Sequence, residues 1–385
     1  MESTIAQPVT LSCRLPLKNR LVKAAMAERM ADHNAFPTAL HNNVYREWGE
    51  GGWGMILTGN VQVDKKYLGD ARDVARDPAN EAIFLEKWTA LAQGCMKDGS
   101  SLIMQINHPG RQSPVGAGTR GFCQRNIAPS AILLNLGNQP DGQVRQLVCL
   151  GTPREMTQGD IDTVVQQFVD TSLLAHRAGL QGVEIHAAHG YLLAQFLSSE
   201  TNLRTDRYGD SAEGRARIVT DIIQAIRKEL PETFCVVVKL NSVDHQSREA
   251  LEACLKQLKL IIAAGVDFVE ISGGTYEDPQ PQAERSASTK AREAFFLEFA
   301  RAIRHDLPDV PLLATGAVLQ PGLPNKVILN EKVVDEEAHF PTQPVAPSWF
   351  LKHSGVKSAG SSAESKLYSR NMQERGRQYA ATAAS

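Results

Sequence analysis

Gly182-Val-Glu-Ile-His186, then Ile218-Val219, Ile222-Ile223 and Ile226, then Cys235-Val-Val-Val-Lys-Leu240 read in succession as strand, amphipathic helix and strand. The outer runs are short, apolar and partly β-branched, as suits strands buried on both faces. The residues between them repeat at helical spacing. A strand, helix and strand of these lengths form the repeating unit of a parallel sheet. The same alternation extends in both directions. Strands are expected at 21–26, 55–59 and 102–107 upstream and at 268–272 and 312–315 downstream, with helices near 41–50, 80–98, 251–262 and 290–305. Thr157 and Asp160 make a capping-box start for a helix whose apolar face is Ile161, Val164, Val165, Phe168, Val169 and Leu173. Seven strands are visible. After Thr315-Gly316 the chain passes to Leu319-Gln320-Pro321-Gly322 with no room for another helix and strand. The expected fold is α/β, a TIM (β/α)8-type barrel that is incomplete at the seventh helix and eighth strand. Residues 1–340 form one domain with an excursion at 113–152, and 341–385 form a tail with a short helical piece near 366–377.

Composition narrows the function. The chain has 385 residues, 42% hydrophobic and 22% charged, which is the make-up of a globular protein with a sizeable core. A net charge of −2 without a Lys/Arg cluster gives no footprint for a nucleic-acid backbone. No signal peptide and no run of membrane-spanning length is legible, so a cytoplasmic location away from membranes is expected, and homo-oligomerisation stays open. Cys13, Cys95, Cys123, Cys149, Cys235 and Cys254 lack C-x-x-C spacing, which argues against a zinc site or a disulfide scaffold and for buried or partly buried thiols.

The candidate chemistry follows the fourth strand. His186, His189 and Tyr191 lie just past its end, where barrel enzymes place catalytic groups. Two imidazoles and a phenol there can hydrogen-bond a substrate carbonyl, stabilise the charge that builds when hydride reaches its β-carbon, and supply a proton. Two other readings compete. Either histidine can be a satisfied core or loop residue, or the pair can ligate a metal, for which no third ligand sits at matching spacing.

This segment continues through Asn202-Leu-Arg204-Thr-Asp206-Arg-Tyr208-Gly209 to Glu213 and Arg215, and here the sequence closely resembles the Old Yellow Enzyme family, in its fungal NADH:flavin oxidoreductase branch. Asn19-Arg20-Leu-Val-Lys23-Ala-Ala-Met26, Trp48-Gly49-Glu50-Gly51-Gly52, Thr58-Gly59-Asn60, Gln105-Ile-Asn107-His108-Pro-Gly110-Arg111-Gln112 and Glu270-Ile-Ser272-Gly273-Gly274 match it in order, over roughly 19–316. The resemblance implies FMN as cofactor, NADH or NADPH as hydride donor, and a small-molecule acceptor. It implies that Ala25, Met26 and Gly59 lie against the isoalloxazine, that Gln105 bonds its pyrimidine edge, and that Lys239 supplies the cation near N1 and C2=O. His186 and His189 would bind the acceptor oxygen, and Tyr191 would be the general acid. Glu213 and Arg215 are expected to start and pin the next helix.

Two departures stand out. Ala27 replaces the threonine or cysteine that touches the flavin near O4 in relatives. Gly316 can still offer its amide to the FMN phosphate, but no Gly-Arg pair follows. One βα unit is absent, about 30 residues at the average spacing of such barrels. The competing functional readings are a flavin-binding-impaired paralogue and a metal-dependent barrel hydrolase using His186 and His189.

Overall fold

In a computed structural model of the chain, the described residues are 6–136, 149–241, 248–272, 299, 303–307, 310–315, 325–329, 373 and 377. Eight strands form a ring: β1 (Leu21–Lys23), β2 (Met55–Leu57), β3 (Ser101–Asn107), β4 (Gly182–Ala187), β5 (Cys235–Asn241), β6 (Phe268–Ser272), β7 (Leu312–Thr315) and β8 (Asn325–Leu329). Neighbours from β1 through β7 pair in parallel. The helices around them are α1 (Ala39–Glu50), α2 (Glu81–Met96), α3 (Gln158–Arg177), α4 (Leu192–Leu197), α5 (Ala212–Glu229) and α6 (Arg248–Ala263).

The helices start where their sequences provide caps. Thr157 accepts from the Asp160 amide while Asp160 reaches back to the Thr157 amide at 2.8 Å, so the expected capping box opens α3. Ser211 accepts from the Gly214 amide at 3.0 Å to open α5, and Arg215 Nε donates to the Leu197 carbonyl, which pins that helix as expected. At α1, His41 Nδ1 takes the role a glutamate usually plays, accepting from the Thr38 amide at 3.0 Å.

The eighth position is filled by an unusual strand. β8 runs antiparallel to both β7 and β1, with Thr315 opposite Lys326 and Val22 opposite Lys326 on the other side. Among the described residues no parallel eighth strand is present, in line with the sequence, and Asn325–Leu329 covers the two edges its loss would expose. This direction returns the chain to the bottom of the ring at Leu329. Gly316 and the rest of 316–324 lie outside the described residues, as does most of the tail. Within the tail, Gln373 donates to the Arg29 carbonyl at 2.9 Å, which ties it to the barrel.

Period-two alternation sorts the strand residues. Val236, Val238 and Leu240 join the large cluster under the helices, whereas Cys235 and Val237 join an inner cluster with Met55, Leu57, Ile103, Phe268 and Leu313. A hairpin pairing Val9–Thr10 with Pro16–Leu17 closes the floor of the ring and adds Leu11, Cys13, Leu15 and Leu17 to that inner cluster. Among the described residues, no helix is long and apolar enough to cross a membrane.

Candidate active site

At the C-terminal ends of the strands the inner lining turns polar. Glu184 stands beside Gln105, and His186, Lys239 and Glu270 stand side by side on three neighbouring strands. All five side chains are buried. Gln105 donates its side-chain amide to Glu184. Lys239 Nζ lies 3.1 Å from Glu270 Oε1, an ion pair with both partners out of water. A buried ammonium needs such a partner, and the sequence located the lysine without naming its carboxylate. Only the register of β5 against β6 pairs them.

The loop after β4 gathers the three expected catalytic groups. The His186 ring lies 4.9 Å from that of His189 and 4.9 Å from that of Tyr191, edge-on to both. His186 Nδ1 accepts from the Ala188 amide at 3.2 Å, which leaves the proton on Nε2. His189 Nε2 shares a 2.9 Å hydrogen bond with the Ser272 hydroxyl at the end of β6. His189 and Gly190 both have positive φ, 57° and 69°, so the chain makes a tight left-handed reversal here. A Cβ at Gly190 would come within 2.8 Å of Gln112 Nε2, which donates to the His189 carbonyl at 2.9 Å. Gln195 Nε2 holds the Gly190 carbonyl at 2.7 Å, and the Leu192 amide donates to the His108 carbonyl at 3.0 Å. The loop is thus clamped by the 108–112 segment after β3. The role of Gln112 was not legible in its motif, because its contact joins segments 77 residues apart.

Two partly open stretches border this polar lining. Ala25, Met26 and Ala27 are half-buried after β1, and His189, Gly190 and Tyr191 are half-buried after β4. Next to the first, Gly59 sits against an unforeseen carboxylate. Its amide donates to Glu28 Oε1 at 2.8 Å, and a Cβ at Gly59 would lie 1.9 Å from Glu28 Oε2. Tyr45 donates its hydroxyl to the same carboxylate, and burial followed by the Glu28 charge lifts this phenol well above its ordinary range. Any flavin contact at Gly59 must therefore use atoms other than its amide. Lys23, also buried, lies 3.9 Å from the centre of the Trp48 ring and donates to the Leu57 carbonyl.

The residues present fit FMN. Half-open main chain at 25–27, the Gln105 amide and a buried cation at Lys239 share the C-terminal end of one ring, which suits an isoalloxazine with a polar pyrimidine edge. Comparison with known proteins decides the class. Residues 4–333 match the family described as NADH:flavin oxidoreductase / NADH oxidase. The chain belongs to this family. It is an oxidoreductase of a family that uses FMN with a nicotinamide donor and acts on small molecules.

Among its relatives, an NADH-dependent flavin oxidoreductase, iliE, of Hypocrea jecorina is 42% identical, covering 91% of this chain and 95% of the relative. Another, iccE of Talaromyces variabilis, is 43% identical over 91% and 93% of the two chains. The match to iliE runs over 380 positions but engages 91% of this chain, about 350 residues, so about 30 positions of the relative have no counterpart here, the size of one barrel βα unit. An Old Yellow Enzyme homologue from Zymomonas mobilis is 21% identical with a TM-score of 0.61 over 74% of this chain and 79% of its own, which shows the shared fold.

Proposed function

We propose that this oxidoreductase carries hydride from NADH or NADPH through FMN to the β-carbon of an activated, enone-type alkene, in a tailoring step of secondary metabolism. The carrying observation is the His186, His189 and Tyr191 cluster at the same end of the barrel as Gln105 and Lys239. Bound FMN supplies a two-electron carrier that nicotinamide and acceptor address in turn, which gives ping-pong kinetics.

The protein's own groups do the rest. His186 presents Nε2–H as a donor to the acceptor's carbonyl oxygen, because its Nδ1 is held by the Ala188 amide. His189 is the second donor, kept in place by Ser272 until the acceptor arrives. Tyr191 gives its proton to the carbon opposite the incoming hydride. Gln105 and Lys239 hold the pyrimidine edge, and Ala25, Met26, Ala27 and Gly59 support the ring, with no hydroxyl or thiol at Ala27 to adjust its potential.

A flavin-poor paralogue is a second reading, favoured by the antiparallel β8 and the missing Gly-Arg pair. Loss of one charge-assisted contact weakens binding by about 1.5 to 3 kcal/mol, roughly 10- to 150-fold. The hydrolase reading has less support: the described residues contain one group of three donors suited to a metal, and it excludes His186 and His189.

Titration of the apo-protein with FMN, beside a variant carrying a restored βα unit and followed by NADH-driven enone reduction, tests these readings. We expect weaker flavin binding than in the restored variant, with enone turnover once FMN is saturating. Saturated protein that accepts hydride from NADH but reduces no enone would remove the ene-reductase assignment. Protein that never binds FMN would establish the paralogue.

A further inference from the structure

The floor of the barrel, at the opposite end from the histidines, holds a second cluster of chemistry-bearing side chains. Cys13, Cys235 and Asp267 are all buried, and their donor atoms lie within 4.8 Å of one another. They come from three distant parts of the chain: the turn of the floor hairpin, the first residue of β5 and the residue before β6. We propose that Cys13, Cys235 and Asp267 form a three-ligand site for one borderline-soft divalent cation of the Zn2+ class, with the fourth position left to water, stapling the floor hairpin to the barrel wall.

Ligand chemistry supports the assignment. Two thiolates and one carboxylate oxygen suit Zn2+, for which a tetrahedral site separates its donors by roughly 3.5–3.8 Å. From a spacing of at most 4.8 Å the three groups need to close by no more than about 1.3 Å to reach that geometry. The three donor atoms converge with no other residue's donor needed to bridge them, since all lie within 4.8 Å of one another.

The second layer of contacts is built as at a ligand site. Asp267 Oδ2 accepts from Arg227 Nη2 at 2.6 Å and from the Val236 amide at 2.7 Å, which orients the carboxylate and leaves Oδ1 to ligate. Arg227 is itself locked by the Gly265 and Phe234 carbonyls at 2.7 and 2.6 Å. The hairpin is held too. Arg14 takes a left-handed φ of 66° at the turn, and Ser12 Oγ donates to the Asp267 carbonyl at 3.2 Å. Gly182, opposite Cys235, leaves the space a side chain would take, since a Cβ there would fall 2.6 Å from Cys235 Cβ. Charge also balances. With both thiols protonated, Asp267 and Arg227 cancel; when one divalent ion enters and two thiol protons leave to solvent, the cluster is still neutral.

The test is titration of the purified full chain with Co2+ under a phosphine reductant, in a Cys123→Ser/Cys149→Ser background that removes the two cysteines outside the buried set. One equivalent should bind with thiolate-to-metal charge-transfer absorption, and Zn2+ should displace it. Cys13→Ala and Cys235→Ala should each weaken binding at least ~100-fold, and Zn2+ should raise the melting temperature of the parent but of neither variant. Circular dichroism of the metal-free variants separates lost ligation from lost folding, and either variant alone suffices. Absence of the charge-transfer band in the folded parent overturns the site, as does a band that survives Cys13→Ala. A reductant-sensitive mass deficit of two hydrogens on a Cys13–Cys235 peptide, with no metal uptake, would also overturn it, showing a disulfide in its place.

Discussion

On β5, Cys235 and Val237 point into an apolar floor, while Lys239, two positions further on, meets Glu270 near the rim. β6 repeats the pattern, with Phe268 in the floor and Glu270 and then Ser272 above it. β3 passes likewise from Ile103 to Gln105. The inward positions of one strand thus do two jobs. Near the floor they exclude water and hold the ring together. Near the rim they carry charge that must be paired, and so become available to a polar ligand. A substitution at the rim should therefore alter chemistry more than stability, and one at the floor the reverse.

The largest expected effect tests the rim. Tyr191→Phe should leave flavin reduction by the nicotinamide intact and lower acceptor turnover by roughly 10² to 10⁴, measured by stopped-flow half-reactions. Equal enone turnover in variant and parent would take Tyr191 out of the mechanism. At the floor, Phe268→Ala empties a fully buried position and should cost about 3–5 kcal/mol in urea unfolding. If FMN affinity fell with stability left intact, the division between floor and rim would be wrong.

A smaller effect sharpens the rim itself. His189→Ala removes one proposed donor to the acceptor oxygen while keeping His186, so phenolic ligands, which mimic the enolate, should bind about tenfold more weakly by flavin difference spectra. Unchanged binding would leave His189 as a loop residue held by Ser272.

The last is an effect of pH on stability and concerns the clamp behind the rim. Burial pushes His108 down to about 4, against a weaker opposing pull from Asp64, and its Nδ1 accepts from the Gly110 amide at 3.0 Å. The unfolded chain takes up a proton near the ordinary value of 6.5 and the folded chain only near 4, so stability falls as pH drops through that window. The contribution approaches about 1.4 kcal/mol per pH unit at most. His108→Asn, whose side chain can still accept from the same amide, should flatten the loss between pH 6.5 and 4.5. His41, pushed down to about 4 chiefly by burial, adds the same trend and sets the slope that remains.

Much of this was legible in the sequence because the signals are local. Apolar runs at 182–186, 235–240 and 268–272 became strands, and Thr157 with Asp160 became a capping box. His186, His189 and Tyr191 lie within six residues, so their proximity follows from one turn. What escaped depends on register between distant segments. Glu270 is paired with Lys239 by the alignment of β5 and β6, and Glu28 reaches Gly59 across the ends of β1 and β2. The cysteines, read as scattered buried or partly buried thiols, divide in the fold: four are buried, Cys149 is intermediate, Cys123 is exposed, and Cys13 meets Cys235.

By itself the sequence determined the α/β barrel, its seven parallel strands and the loop that brings two imidazoles and a phenol together after β4. Periodicity and short-range spacing carry that information because they act within one element or one turn. Only the tertiary structure decided how the ring closes, since an apolar run such as 325–329 can pair in either direction until its neighbours are in place. It alone decided which carboxylate neutralises Lys239 and which thiols meet at the floor. Those outcomes depend on contacts between residues tens to hundreds of positions apart, and pairing a buried charge is a requirement that only the assembled barrel can satisfy.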